Sequence, residues 1–401
     1  MHDRTEYPSM REPIQAMTTT ILERQESPIL PGIASPRILI LTAAFGEGHN
    51  SAARNLSLSL KDAGAIIKVC DPCKAAAPQS TKFLEWSYQL VTNHFPRVWK
   101  GLFDLADKAD FNRVGLPLMG KPERFLANLV EDFKPDAVIS TYPIYPYFMA
   151  RIRLEARGSV PVFTVVTDSI VINASWLGAP SDYWMVTDAA TRQQMSASGV
   201  DIAKIEDTGF PVHPDFGKQQ PIVDGAALES FKVLYFPTAQ VMGFVPHCRA
   251  LLNASPLVRL TIVLGKHQKS LGSRALRIRR EFPGRVRLVG WTRRIPKLLN
   301  NHHLVVGKAG GATVHEAIAA HCPMLIHHLV PGQEEGNLRL LEAIGCGKLC
   351  DHPKTLTETV SSLLGNDAHG WRVMKRNVAK HDRRLGSQVA ARFIMEKIVG
   401  S

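Results

Sequence analysis

The sequence has 401 residues, of which 45% are hydrophobic and 21% are charged, and its formal net charge is +12. The length favours two domains, because single hydrophobic cores stop growing at roughly 250–300 residues, and the composition excludes wholesale disorder. No apolar run approaches the roughly 20 residues that span a bilayer, and the polar N-terminus lacks the apolar core of a secretory signal. These features predict a cytoplasmic protein, whose basic charge suits anionic membrane surfaces, anionic substrates or nucleic acid.

The first half alternates short apolar runs with helical patterns. After a polar leader over residues 1–35, the run 37–42 (RILILT) predicts a strand buried on both faces. A glycine-containing turn, a helix over residues 51–61 and a second run at 65–70 follow, which is the order of a right-handed parallel unit. Further strands are predicted at 137–140, 161–167 and 183–187. Residues 36–216 are therefore predicted to form an α/β domain.

A polar stretch containing glycine and proline, residues 217–230, is typical of a linker. The alternation restarts over residues 231–385, and residues 386–401 are predicted to form a C-terminal helix. The strands of this second domain are predicted at 232–236, 259–264, 286–289, 304–306 and 324–327. The predicted fold class is α/β, with two doubly wound, Rossmann-like domains facing each other across a cleft. Because ligands bind beyond the carboxyl ends of parallel strands, that cleft is the expected site.

The motif with the clearest chemistry is the strand-to-helix turn VVGKAGGATVHE at residues 305–316. Gly310 and Gly311 let the backbone approach a ligand, and a helix predicted to begin near Thr313 presents free N–H groups to a phosphate. Lys308 adds positive charge, Thr313 adds a hydroxyl, and Glu316 adds a carboxylate that can accept hydrogen bonds from ribose hydroxyls. Taken alone, the motif is also explained by a tight turn with a solvated glutamate.

A second polar loop, PGQEEGN at residues 331–337, follows the next predicted strand and is expected beside the glycine turn. Gln333, Glu334 and Asn337 offer the dense donors and acceptors that sugar hydroxyls need, although a loop that caps a helix has the same composition. Trp291 follows another strand on the same side, where its ring either stacks on a base or packs in the core.

These segments together identify a family resemblance. GKAGGATVHEA and CPMLIHHLVPGQEEGN resemble the donor half of the monogalactosyldiacylglycerol synthase and diglucosyldiacylglycerol synthase family, which is related to the lipid-linked peptidoglycan GlcNAc transferase. In the first half, ILILTAAFGEGHNSAARNL, TVVTDS and DTGFPVHPDF resemble family segments, so the resemblance covers residues 37–350. It implies the GT-B fold and transfer of a hexose from a UDP-sugar to diacylglycerol or a similar membrane lipid.

The resemblance assigns donor-side roles at matching positions. Glu316 would hold the donor ribose, Gly310 and Gly311 would form the diphosphate turn, and the donor-sugar loop would contain Gln333, Glu334 and Asn337. The chain departs from the family pattern at Glu47, which replaces a glycine, and in the segments 237–243 and 173–176.

On the acceptor side, the first loop contains Gly46 and Gly48 and leads to His49, while Asp168 lies in the family's TD segment. A neutral alcohol is a poor nucleophile, so the implied reaction needs a base, which is either His49 or Asp168. In-line attack opposite UDP would invert the anomeric centre and give a β-glycolipid. The chain contains no Asp-x-Asp motif, so neither a metal nor another cofactor is expected.

Residues 82–103 mix aromatic side chains with three basic residues. Such a segment either rests in a membrane interface or packs as an ordinary amphipathic helix. The resemblance makes residues 36–216 the acceptor and membrane-side domain, and it favours peripheral association with the anionic inner face of the membrane.

Other hypotheses use the same features. A UDP-GlcNAc-dependent transferase or 2-epimerase would share the fold. A nucleotide-binding oxidoreductase is disfavoured because residues 46–51 (GEGHNS) lack the third glycine of G-x-G-x-x-G, although Asp71 follows about 20 positions later. RNA binding is supported only by the basic charge, so no nucleic acid is expected.

Cys70 and Cys73 lack a second ligand pair and are interpreted as the end of a strand. The histidine doublets at 302–303 and 327–328 are interpreted as structural.

Overall fold

The structure is a computed structural model. It describes residues 35–44, 46–94, 98, 101, 119–156, 160–223, 225, 228–238, 241–332 and 334–399. The leader predicted over residues 1–35 lies almost entirely outside this part of the chain, as do Gln333 and much of the end of segment 82–103.

The first half folds around a six-stranded sheet in which neighbouring strands run parallel. The strands are β1 Arg37–Leu41, β2 Ile66–Cys70, β3 Ala137–Ser140, β4 Val162–Val165, β5 Tyr183–Val186 and β6 Ile205–Asp207. Their order in the sheet is β2-β1-β3-β4-β5-β6. Strands β3 and β4 are buried along their whole length, as expected of strands covered on both faces. The apolar runs of the sequence were therefore interpreted correctly.

Helices connect these strands. They are α1 Glu47–Asp62, α2 Pro72–Ala76, α3 Pro78–His94, α4 Gly120–Phe133, α5 Tyr145–Ala156, α6 Ala174–Leu177 and α7 Ala189–Ala197, with 3-10 turns at Ile202–Lys204 and Pro214–Phe216. Side chains cap several of them, because the first amides of a helix have no partner within it. The Asp71 carboxylate accepts from the amide of Lys74 to begin α2, and that of Asp188 accepts from the amide of Thr191 to begin α7.

The second half contains another six-stranded parallel sheet. Its strands are β7 Phe231–Tyr235, β8 Val258–Val263, β9 Val286–Val289, β10 Leu304–Lys308, β11 Met324–His328 and β12 Gly347–Leu349. The order β12-β11-β10-β7-β8-β9 is that of a doubly wound nucleotide-binding sheet. Its helices are α8 Val241–Ala254, α9 Gln268–Glu281, α10 Ile295–Asn300, α11 Gly311–Ala319, α12 Glu335–Ile344, α13 Pro353–Lys380 and α14 Gly386–Val399, with a 3-10 turn at Gly265–His267. The predicted pair of Rossmann-like sheets is confirmed.

The structure differs from the sequence prediction in detail. Strands β6 and β12 were not predicted, because each has only three residues and neither forms an apolar run. The prediction that the helix after the glycine turn begins near Thr313 was wrong by two residues. Gly310 is the last extended residue, with φ −70° and ψ 139°, and α11 begins at Gly311.

The C-terminal helix packs against the first half. The Phe393 ring of α14 makes edge contacts with Tyr183 and Phe163, at centroid distances of 5.6 and 6.3 Å. Just before the helix, the Arg383 guanidinium binds both carboxylate oxygens of Asp207 at 3.0 and 2.9 Å. The chain therefore returns from the second sheet to the first, and these contacts connect the two halves.

Candidate functional site

The carboxyl edges of the two sheets meet at the segment that follows β4. A Cβ atom built on Gly311 would lie 2.8 Å from the Thr167 carbonyl oxygen, and one built on Gly336 would lie 1.8 Å from that of Ser169. Only glycine permits this approach, because such distances are far below van der Waals contact. The N-terminal ends of α11 and α12 thus contact the segment that contains Asp168.

Two helix N-termini converge beside this contact. Gly46 has a φ of +133°, which L side chains rarely adopt, and it directs the chain into α1. A Cβ atom on Gly48, in the first turn of α1, would lie 4.0 Å from the amide nitrogen of Ala312 in the first turn of α11. Free amides and helix dipoles from both halves therefore point toward one region, which favours a ligand with negative charge.

His49 lies in the first turn of α1 and is buried. Its Nδ1 lies 2.7 Å from the Thr141 carbonyl oxygen and 3.1 Å from the Thr167 hydroxyl. Since a carbonyl only accepts, Nδ1 carries the proton in this contact and Nε2 keeps its lone pair. Burial lowers the pKa of His49 to about 4, against a smaller opposing effect of the Thr141 carbonyl. The imidazole is therefore neutral at pH 7 and in the form that accepts a proton.

Asp168 follows β4, and its Oδ2 accepts a hydrogen bond from the Trp176 indole N–H at 2.8 Å. Burial raises the pKa of Asp168 to about 6, the Trp176 bond acts in the opposite direction, and the charge of Glu334 raises it further. The Trp176 ring also lies 6.1 Å from that of His49. Sequence analysis noted the segment 173–176 only as a departure from the family pattern and missed Trp176 as a partner of Asp168.

Glu316 lies on α11 and faces α1 of the other half. Burial raises the pKa of Glu316 to about 7, while the charge of Arg54 lowers it and that of Glu47 raises it. Both of those residues belong to α1. The structure therefore places Glu316 between the two halves, and Thr313 lies one turn earlier on the same helix.

An ion pair and hydrogen bonds fix the polar loop before α12. Lys308 Nζ lies 2.9 Å from Glu334 Oε1, and the amide of Val330 donates to Glu334 Oε2 at 2.9 Å. Asn337 donates from Nδ2 to the Ala309 carbonyl at 2.9 Å, and its buried Oδ1 has no partner among the described residues. These contacts fix the loop against the residues that precede the glycine turn.

Trp291 lies outside the core. Its side chain is 62% exposed, and the Arg293 guanidinium lies 5.4 Å from the ring centroid. Of the two hypotheses for this residue, packing in the core is excluded, and its ring remains available for stacking.

A cavity of about 520 Å³ lies in the second half. Its lining includes Tyr235, His247, His327 and His328, but none of the predicted donor-binding side chains.

The histidine doublet at 302–303 is structural, as predicted. Both rings are buried, His302 Nε2 contacts the Thr261 hydroxyl, and His303 Nδ1 accepts from the amide of Lys232. In the other doublet, His327 Nε2 contacts the Phe236 carbonyl.

The segment expected at a membrane begins with α3. Phe83 and Trp86 are 64% and 58% exposed, and their rings lie 6.0 Å apart. This face of α3 therefore does not pack as core. Within the part of the chain that the structure describes, no helix has the length and apolarity needed to cross a membrane.

The two cysteines of the Cys70–Cys73 pair lie on consecutive elements. Cys70 ends β2, and Cys73 is buried in α2. Among the described residues, no three histidine, cysteine or carboxylate side chains are grouped as potential metal ligands.

Solved structures with this architecture are GT-B glycosyltransferases and related enzymes. MurG from Acinetobacter baumannii matches with a TM-score of 0.60 at 14% identity, over 90% of this chain and 99% of that one. UDP-GlcNAc 2-epimerase from Neisseria meningitidis matches with a TM-score of 0.58 at 16% identity, over 91% of this chain and 100% of that one. These likenesses confirm the GT-B fold.

Sequence comparisons identify the relatives. The family model described as monogalactosyldiacylglycerol (MGDG) synthase matches residues 49–212. A processive diacylglycerol beta-glucosyltransferase from Bacillus cytotoxicus is 26% identical over 84% of this chain and 87% of its own length. One from Bacillus pumilus is 26% identical over 90% of this chain and 95% of its own length. The resemblance inferred from the motifs is confirmed, and the chain is a hexosyltransferase of the GT-B fold.

Proposed function

We propose that the protein transfers a hexose from a UDP-sugar to diacylglycerol or a similar membrane lipid, with inversion at the anomeric carbon. The carrying observation is the convergence of the N-termini of α1 and α11 beside His49, Asp168 and Glu316. This arrangement combines an anion site, a carboxylate suited to a ribose and two candidate bases. The names of the Bacillus relatives support the lipid acceptor.

The donor diphosphate would lie at the two helix N-termini, where amides and dipoles stabilise negative charge. Glu316 would accept hydrogen bonds from the ribose hydroxyls, and the exposed ring of Trp291 would stack on the base. Gln333 and Asn337 would contact the sugar. As the bond to UDP breaks, charge grows at the same amides, so they stabilise the transition state more than the bound substrate.

The acceptor hydroxyl must lose its proton during attack, and the electrostatics rank the two candidate bases. The pKa of Asp168 is about 6 and that of His49 is about 4. A base works best when its pKa lies near the working pH, so Asp168 is the stronger candidate. In this proposal the acceptor hydroxyl donates its one hydrogen bond to Asp168, and His49 lies beside the reacting groups with its Nδ1 held by the Thr141 carbonyl.

The acceptor would reach the site from a membrane surface. Phe83 and Trp86 form an exposed aromatic pair on α3, and such side chains insert into the headgroup region of a bilayer. The net charge of +12 would add attraction to anionic lipids. This supports peripheral association with the cytoplasmic face.

The proposal is tested by incubating the protein with diacylglycerol in anionic vesicles and one of four donors: UDP-glucose, UDP-galactose, UDP-GlcNAc or UDP-glucuronate. Lipid products are identified by mass. We expect a new glycolipid that is lost in His49→Ala and in Glu316→Gln. His369→Ala, an exposed histidine on α13, serves as the matched control and should keep activity. Epimerised or free sugar without a glycolipid would instead support the 2-epimerase hypothesis, and no reaction with any donor would refute the proposal.

A further inference from the structure

The segment after Asp168 makes a strained turn. Ile170 has a φ of +60°, which is rare for a β-branched residue, and the amide of Val171 donates to the Ser169 carbonyl at 2.6 Å. A hydrogen bond between residues two apart with positive φ between them defines a γ-turn of the rare, strained form. Such conformations persist only where the surroundings fix them, and they cluster at functional sites.

Side chains of the first half fix one side of this turn. The amide of Ile170 donates to the Thr191 hydroxyl at 2.9 Å, and the Ser169 hydroxyl lies 2.8 Å from that of Thr187. Both threonine hydroxyls donate to Asp188 Oδ2, at 2.7 Å from Thr187 and 2.9 Å from Thr191. All four side-chain partners are buried, so the network is shielded from competing water.

A side chain from the second half completes the network. His315 Nε2, on α11, lies 2.9 Å from the Ser169 hydroxyl oxygen across the contact between the halves. Its ring is buried and stacks on Phe210 with centroids 5.0 Å apart and planes 6° from parallel. His315 immediately precedes Glu316, so the helix that would hold the donor ribose also holds the turn beside Asp168.

The Asp188 carboxylate determines the donor and the acceptor in each hydrogen bond of this network. A carboxylate only accepts, so the Thr187 proton goes to Asp188. The Ser169 proton must then go to Thr187, and Ser169 can only accept from His315. His315 therefore carries its proton on Nε2, and three hydrogen bonds run in one direction from the second half to a buried carboxylate of the first.

We propose that His315 is a positioning residue that latches the strained Ser169–Val171 turn to the donor-binding helix and so holds Asp168 at the acceptor. The inference rests on the proposed function, because it gives Asp168 and Glu316 their roles. It couples the two substrates: α11 can present Glu316 to a nucleotide and hold Asp168 in place only when the halves are in contact. Gly336 permits the same contact from α12.

The kinetic test uses three variants and a control. His315→Leu and Ser169→Ala each remove the hydrogen bond, whereas His315→Gln keeps a polar amide in reach of Ser169. Ile318→Val, a buried change on the same helix, controls for lost packing. We expect His315→Leu and Ser169→Ala to lower kcat roughly tenfold, the size of one net hydrogen bond, with little change in the donor KM. The double variant should be no worse than either single one, and His315→Gln should recover most of the rate.

The proposal would be overturned if Ile318→Val lost as much kcat, if the effects were additive in the double variant, or if His315→Gln did not recover the rate. A second readout does not need turnover. Amide hydrogen exchange in residues 167–171 should accelerate in His315→Leu and Ser169→Ala but not in Ile318→Val, and unchanged protection in all three would also overturn it. If the wild type makes no glycolipid but this exchange pattern appears, the proposed function fails while the latch stands as a structural coupling.

Discussion

Removing the indole N–H of Trp176 should move the pH dependence of the reaction. In Trp176→Phe, Asp168 loses the hydrogen bond that its Oδ2 accepts at 2.8 Å, while the buried ring keeps most of its packing. A hydrogen bond to a charged group contributes about 1.5–3 kcal/mol, and one pKa unit corresponds to about 1.4 kcal/mol. The pKa of Asp168, which is about 6, should therefore rise by roughly one to two units, because the lost bond favoured the ionised form.

The assay is the pH profile of kcat/KM, which reports the ionisation of groups in the free enzyme. If Asp168 accepts the proton, the acid limb should shift upward by the same one to two units in the variant, with the rate at pH 9 largely retained. Trp371→Phe is the matched control, since that indole N–H is also buried and donates at 2.7 Å to the His303 carbonyl in the second half. An unmoved acid limb in Trp176→Phe, or an equal shift in the control, would refute the assignment of Asp168.

Three further outcomes are expected. Burial raises the pKa of Glu316 to about 7 from 4.5, so the free energy of unfolding falls as the pH rises through that range. Urea unfolding should therefore show Glu316→Gln to be more stable than the wild type by roughly 1–3 kcal/mol at pH 8 but not at pH 4. Gly336→Ala should lose transfer activity more than Gly272→Ala in a turnover assay, because its Cβ would meet the Ser169 carbonyl at 1.8 Å whereas nothing lies within 4 Å of the other. Trp86→Ala should weaken sedimentation with anionic vesicles roughly tenfold, while Leu154→Ala, another exposed apolar side chain, should not.

The sequence predicted the sheets well because their central strands are apolar on both faces. Runs such as residues 37–42 and 137–140 are stable only when both faces of the strand are buried, so their position and parallel orientation followed from the pattern alone. The edge strands β6 and β12 carry no such signal, because their pairing is determined by neighbours rather than by burial. The return of α14 to the first sheet was also not predicted, since nothing local in a helical pattern specifies which half it contacts.

The candidate site was predictable where chemistry follows short motifs. The glycine turn, Glu316 and His49 come from local spacing and from the family resemblance, and the structure brings them to the same region. The contacts that position the site residues and shift their pKa values join residues far apart in the sequence. Ser169 and His315 are 146 positions apart, and neither belongs to a motif with a known partner. Trp176 could have been suspected only from the aspartate eight residues earlier.

The site contains three carboxyl groups whose ionised forms are disfavoured by their surroundings. Burial raises the pKa of Asp168, Glu316 and Glu334 alike, and among the described residues only Glu334 of these three has a direct cation partner, Lys308 at 2.9 Å. Asp168 and Glu316 are half-buried, and a carboxylate that has lost part of its water is stabilised by a donor that replaces that water. Ribose hydroxyls at Glu316 and an acceptor hydroxyl at Asp168 are such donors. Substrate binding would therefore relieve a cost that the folded protein carries, and the relief at Asp168 would come only when an alcohol is in place to be deprotonated. If Asp168 is the base, a preference for a hydroxyl acceptor would follow from the same burial that raises its pKa.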